Sequence, residues 1–270
     1  MAAIYAAKDR PAFNPLIAHV ASLEAAQAIA DLDERAVRLA RAFWPGPLTL
    51  VAPVKDRAAV CDLARAGLDT VAIRVPAHRL ARAAIEAFGG PVVAPSANRS
   101  GRPSPTTCAD AVAETGAAAA VALDGGPCAV GLESTVVALL DGEARLLRPG
   151  GVTRDDIEAL IGPLAKAEDD ARRSPGRLAL HYAPDAPVRL NADAPQPGEA
   201  FLAFGPAPAG ERVFNLSAKG DLAEAAASLF SLLRAADATS PAAIAVAPIP
   251  NHGLGEAIND RLIRAAGFVG

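Results

Sequence analysis

The side chains best suited to chemistry in this sequence are cationic, amide and hydroxyl groups that stand where apolar runs stop. Lys8 and Arg10 open the stretch KDRPAFNPL with Asn14, Arg74 lies in TVAIRVP, Arg99 and Arg102 fall in VVAPSANRSGRPSPT, and Arg148 sits in RLLRPG. In open α/β sheets the strand ends border the ligand crevice, so several arginines can converge there on one anion-binding cavity. The plain alternative is that arginines at strand ends are ordinary solvated groups, and for Arg99 or Arg102 taken singly it is the better reading. Lys8-x-Arg10 followed by Asn14 and Pro15 resists it, because the prolines fix a loop whose polar groups serve no core. Beyond Pro95, Ser96 and Asn98 offer a hydroxyl and an amide beside free backbone N–H groups, a donor set matched to phosphate or carboxylate oxygens. Arg102 and Ser104 extend that set. A turn that caps its own backbone is the commoner fate of such a sequence.

Other chemistries are poorly served. His19, His78, His181 and His252 form no HExxH or His-x-His cluster, and Cys61, Cys108 and Cys128 stand far apart, so no metal site built by the protein is expected. Gly253 and Gly255 begin a GxGxxG pattern whose third glycine is replaced by Ile258, and GxxxxGK[ST] is absent, which disfavours a dehydrogenase or a phosphate-loop NTPase. The net charge of -4 gives no global pull toward nucleic acid or anionic membranes. An odd number of scattered cysteines fits a reducing cytoplasm. No signal peptide and no run near ~20 apolar residues is present, so a cytosolic location is expected.

These groups need a scaffold, and the 270 residues, 51% hydrophobic and 21% charged, suffice for one large domain and a smaller one. The pattern is α/β: a twisted mixed sheet followed by a second, smaller Rossmann-like domain. Residues 22–43 have helical spacing with Ser22 and Asp33 as caps, and WPGP stops them. Residues 48–53, 70–76, 91–95, 118–123, 134–140 and 144–150 read as strands, being short, apolar and closed by Pro, Gly or Asp. The DG between the last two predicts a hairpin and hence a mixed sheet. Thr153 caps a short helix. The expected domains are residues 1–163 and 186–270, joined by a charged, proline-bearing linker over 164–185. In the second, strands precede a helix from Asp221, where Asp221 and Glu224 occupy capping-box positions.

Taken in order, AKDRPAFNPLIAHV, WPGPLTL, GLDTVAIRVPAH, APSANRSGRPSPT, GLESTVV with LLRPG, HYAP and GLGEAINDRLIRAA resemble the threonylcarbamoyl-AMP synthase family in its long form. That form has a YrdC-like catalytic domain and an added C-terminal domain. The resemblance implies an enzyme that joins L-threonine, bicarbonate or CO2, and ATP into L-threonylcarbamoyladenylate, releasing pyrophosphate, with Mg2+ carried by the nucleotide and downstream tRNA-modifying machinery as partner. Lys8 and Arg10 match the family's KxR element, and Ser96 and Asn98 its SxN element. By the same likeness Arg10, Asn14, Thr70, Ser96, Ser104, Arg148 and Tyr182 would contact ATP, with Tyr182 folding over the nucleotide from the linker. His19, Arg74, the backbone at Ala94, and Ser134 would hold threonine. On residue type alone His19 is either a proton acceptor, a hydroxyl partner or a core histidine, and Ser134 is equally a strand-end residue bonded to backbone. The family's PTETVYGLG-like segment, which supplies a threonine-binding residue and a strand, does not appear. A shortened, non-catalytic protein that still holds nucleotide or RNA is therefore the competing expectation.

Overall fold

The computed structural model describes residues 2–9, 14–165, 181–207 and 209–267. Arg10 and most of the expected linker lie outside these residues. In chain order the elements are α1 (Ala2–Lys8), β1 (Ile17–His19), α2 (Leu23–Ile29), α3 (Glu34–Phe43), β2 (Leu48–Pro53), α4 (Asp62–Arg65), β3 (Thr70–Arg74), α5 (Arg79–Phe88) and β4 (Val92–Ala94). There follow α6 (Cys108–Thr115), β5 (Thr135–Leu140), β6 (Glu143–Arg148) and α7 (Arg154–Ile161). The remainder is β7 (Val188–Arg189), β8 (Ala200–Ala203), β9 (Val213–Asn215), α8 (Leu222–Ala238), β10 (Ile244–Val246) and α9 (Leu254–Ala265). The described residues form two compact units, those of Met1–Ser96 with Glu133–Arg177 and those of Ala97–Leu132 with Leu178–Gly270. Among them no helix is long and apolar enough to cross a membrane.

The first unit is built on a six-stranded mixed sheet in the order β4-β1-β3-β2-β5-β6. β1 runs parallel to β3 and β2 parallel to β5, while β1–β4, β2–β3 and β5–β6 are antiparallel. The hairpin expected at the DG pair is present: Asp141 and Gly142 both take positive φ (52° and 78°), the turn geometry that matches strand twist. The single helix expected over residues 22–43 is instead two. Ser22 and Asp33 each cap one, accepting the N–H of Ala25 and Ala36, and Ala30 leaves the helix to bridge Val54. The strand expected at 118–123 does not form. Its apolar side chains are exposed, Val121 at 76% and Leu123 at 65%, because no neighbouring strand supplies a ladder. β1 appears where the sequence showed no strand.

One face of this sheet is covered by helices. Leu48, Leu50, Val137 and Leu139 pack with Ala36, Leu39 and Ala40 of α3 and Ile157 of α7. Ala18, Val71 and Ile73 pack with Ala26 and Ile29 of α2 and Ala64 of α4. The opposite face carries Ile17, Val51, Ala72, Val136, Ala138 and Leu147, a cluster to which strands alone contribute. Alternation along each strand fixes which residues share that face.

The second unit holds the parallel sheet β7-β10-β8-β9. α8 buries Ala225, Ala226, Leu229, Phe230, Leu233 and Ala236 against Leu202, Ile244 and the α9 residues Ile258 and Leu262. Each buried leucine is worth roughly 2 kcal/mol. Asp221 caps α8 by accepting the N–H groups of Ala223 and Glu224, but the expected box does not close: the Glu224 carboxylate accepts the Ser217 hydroxyl.

A candidate anion site on the first sheet

Alternation places His19 with Ile17, Arg74 and Thr70 with Ala72, Thr49 with Val51, and Ser134 with Val136, all on the face of the strand-only cluster. β1 and β3 pair His19 directly with Arg74. The register Leu50↔Ile73 sets Thr49 beside Arg74, and Thr49 pairs with Val136, one residue past Thr135. Val136 in turn pairs with Arg148. The result is a row running from His19 through Arg74, Thr49 and Ser134 to Arg148 across five adjacent strands.

The row is held from behind by short contacts. The Thr49 and Ser134 hydroxyls lie 2.7 Å apart with both residues buried. Arg148, 5% exposed, donates from Nε and Nη2 to the Ser134 carbonyl at 3.2 and 2.8 Å, and from Nη2 to its Oγ at 3.2 Å. Arg74 Nε donates to the Gly46 carbonyl at 2.9 Å, so the WPGP turn fixes that guanidinium. Gly150 packs so close that a Cβ there would lie 2.4 Å from the Glu133 carbonyl oxygen and 2.5 Å from Ser134 C, leaving room for no side chain. The RPGG turn thereby clamps Ser134 in place.

Burial, helped by the Arg74 guanidinium, lowers the His19 pKa from 6.5 to about 4, against the carbonyls of Val92 and Ile17. His19 is thus a neutral imidazole at neutral pH. Its Nδ1 is buried without a hydrogen-bond partner among the described residues. A base this weak takes no proton from an α-ammonium group, whose pKa is about 8. A neutral hydrogen-bond partner and a core histidine held by the backbone both fit this state.

Other expected site residues of the first unit lie toward the far end of β1 and β3. Thr70 opens β3 on the same face as Arg74 but at the opposite end, opposite Pro53. Ala94 pairs with Ile17, and two residues beyond it the Ser96 carbonyl accepts from Lys8 Nζ at 2.6 Å. Lys8 and Asn14 are both buried, and Tyr5 of α1 donates to the Asn14 and Leu63 carbonyls. Asn98, Ser104 and Tyr182 belong to the second unit. Asn98 Nδ2 donates to the Arg99 and Arg102 carbonyls at 2.8 and 2.9 Å, which is the self-capping turn that SAN sequences commonly form. Arg99 lies 3.5 Å from Glu114, and Arg102 pairs with Asp185. Tyr182 is 1% exposed, with φ at 61° and its ring against Phe230 and beneath the Arg261 guanidinium. Its expected place in a linker gives way to a core position.

Sequence reasoning missed Thr49. The sequence shows a lone hydroxyl in the apolar run LTLVAP, but nothing local sets it beside Ser134. Guanidinium, imidazole and hydroxyl groups suit carboxylate and phosphate oxygens.

The fold is that of an α/β protein with one unit on a mixed sheet and another on a parallel sheet. The Sua5/YciO/YrdC family model, described as telomere recombination, matches residues 1–150, and the threonylcarbamoyl-AMP synthase C-terminal domain matches residues 152–267. The chain is 38% identical over 286 aligned positions to the threonylcarbamoyl-AMP synthase of Bacillus subtilis, covering 98% of this chain and 82% of that one. Against the Pyrococcus abyssi synthase it is again 38% identical, covering 98% and 84%. The crystal structure of P. abyssi Sua5 complexed with L-threonine superposes with a TM-score of 0.89 at 36% identity, covering 98% of this chain and 83% of that one. The chain belongs to the threonylcarbamoyl-AMP synthase family, and is an enzyme of the nucleotidyltransferase type.

Proposed function

We propose that this chain forms L-threonylcarbamoyladenylate and pyrophosphate from L-threonine, bicarbonate or CO2, and ATP, in the cytoplasm and for threonylcarbamoylation of tRNA by downstream machinery. The observation that carries the reading is the row His19, Arg74, Thr49, Ser134 and Arg148 on one face of the mixed sheet. In it Arg74 would hold the threonine carboxylate, and neutral His19, Ala94 and Ser134 would hold the rest of the amino acid. The free amine adds to the carbon of CO2 and loses a proton, giving a carbamate. A carbamate oxygen then attacks the α-phosphorus of ATP, and the bond to the β-phosphate breaks as pyrophosphate leaves with its electron pair. Two anions must meet, so cationic groups at fixed positions matter more than covalent help from the protein. Lys8, Arg10 and Arg148 would offset phosphate charge. Asn14, Thr70, Ser96, Asn98, Ser104 and Tyr182 would position the nucleotide. Mg2+ would enter with ATP, held by phosphate oxygens. Residues 1–163 carry most of this chemistry, the linker over 164–185 follows, and residues 186–270 form the C-terminal domain.

Pyrophosphate release from ATP should require L-threonine and bicarbonate together, and Arg148→Ala should lower it roughly 100-fold or more, the usual cost of one charge-stabilising donor. Release that ignores threonine, or ATP binding without product, would replace this reading with a non-catalytic nucleotide binder.

A further inference from the structure

Three residues of α8, Phe230, Arg234 and Asp237, follow one another at helical spacing and form a stripe on one face. Each holds a different piece of the second unit that bears on the proposed nucleotide contacts. The Phe230 ring lies 5.4 Å from that of Tyr182. Arg234 Nη1 meets Glu114 Oε1 at 2.9 Å, while its Nη2 donates to the Pro103 carbonyl. Asp237 accepts the N–H groups of Asp185 and Ala186, both at 2.9 Å, and lies 3.5 Å from Arg102.

The Arg234 contacts bracket the loop. Its guanidinium fixes the carbonyl immediately before Ser104. Through Glu114, whose other oxygen accepts the Arg99 N–H at 3.0 Å, it also fixes the residue immediately after Asn98. Asn98 itself staples the loop from inside through the Arg99 and Arg102 carbonyls. Arg102 is tied to Asp185 at 2.5 and 3.1 Å, and Ala183 donates to the Gly101 carbonyl at 2.8 Å. The Glu114 side chain is only 6% exposed, and a carboxylate so placed stays charged only if it is matched. Burial would raise its pKa, yet the Arg99 N–H and the Arg234 guanidinium outweigh that and hold it below the usual carboxylate value.

A plain stability device would not need this arrangement. A buried ion pair is at best a weak contributor to stability against apolar residues of the same volume, whereas it fixes geometry well. We propose that Arg234 is a positioning residue for the nucleotide: from α8 it sets the shape of the loop that presents Asn98 and Ser104, so the C-terminal domain acts directly on ATP binding. This rests on the reading that Asn98 and Ser104 contact ATP.

The test uses the full chain with Arg234→Ala and Arg234→Lys, titrated separately with ATP and with L-threonine, and followed by amide hydrogen exchange. Arg234→Ala should weaken ATP binding about tenfold, from the loss of charge-assisted hydrogen bonds, and leave L-threonine affinity within about twofold. Arg234→Lys, which keeps the charge but not the fork, should fall between. Exchange should rise over residues 98–104 and stay unchanged in β8 and β10. Unchanged ATP affinity in Arg234→Ala overturns the inference, and so does a parallel loss of both affinities with faster exchange throughout the unit, which marks a merely structural role. Wild-type chain that binds ATP tightly but releases no pyrophosphate counts against the synthase reading alone, because the binding comparison still decides the role of Arg234. Wild-type chain that does not bind ATP overturns both.

Discussion

The two sheets bury polar groups for different ends. In the parallel sheet of the second unit both faces are apolar, with Leu202 and Ile244 on one side and Phe201, Ala203 and Ala245 on the other. Its buried Ser217 serves helix α8, accepting the Asp221 N–H and donating to Glu224. In the mixed sheet of the first unit, one face is equally apolar, but the other buries Thr49, Ser134 and Arg148 in line across its strands. Burying such groups costs free energy that leucine or valine would not cost unless each is matched, and here they are matched to one another.

Substitutions should therefore separate stability from ligand affinity. The largest effect is expected for Leu229→Ala, which opens a cavity in the core beneath α8 and should cost about 2–5 kcal/mol in denaturant unfolding of the second unit. A loss below about 1 kcal/mol would mean that this core is not close-packed.

His19 should make the first unit acid-labile. Its folded pKa of about 4 lies below the ordinary 6.5, so between those values the unfolded chain binds a proton that the folded chain refuses. Stability should be complete above about pH 6.5 and fall as the pH drops toward 4, by on the order of 3 kcal/mol at ~1.4 kcal/mol per pKa unit. Denaturant curves at several pH values, compared with His19→Gln, should show the variant losing less. Identical slopes would mean that His19 is protonated in the folded chain.

Thr49→Val is the smallest change and the sharpest contrast. It removes one hydroxyl, while Ser134 Oγ keeps Arg148 as a partner, so unfolding should shift by about 1 kcal/mol or less. L-threonine affinity should nonetheless drop several-fold in a calorimetric titration, since Ser134 loses the contact that orients its hydroxyl. A large stability loss with full affinity would make the polar row structural.

Much of the scaffold was legible before any coordinates. Ser22, Asp33, Thr153 and Asp221 announce helix starts because short polar side chains satisfy the first free N–H groups locally. β2 matches its expected bounds, and the Asp141–Gly142 turn gave the hairpin, since positive φ at both positions suits those residues. What failed depended on distant partners. Ile17–His19 is a strand only because β3 and β4 flank it, and residues 118–123 have the composition of a strand but lack a neighbour. The candidate site divides in the same way: the types of Arg74, Ser134 and Arg148 could be read from the chain, whereas Thr49 became a member only through register.

The sequence by itself determined the local states: where helices begin, where the chain turns, which residues alternate, and which carry charge or hydroxyls. These depend on contacts within a few residues, where backbone sterics and hydrogen bonding act without the rest of the molecule. Only the tertiary structure decided that His19, Arg74, Thr49, Ser134 and Arg148 share one face, that Tyr182 is a core residue, and that Arg234 reaches Glu114 from 120 positions away. Strand order and helix docking join residues whose separation along the chain carries no local signal, and the electrostatic environment of each group, such as the neutral imidazole of His19, exists only once those neighbours are assembled.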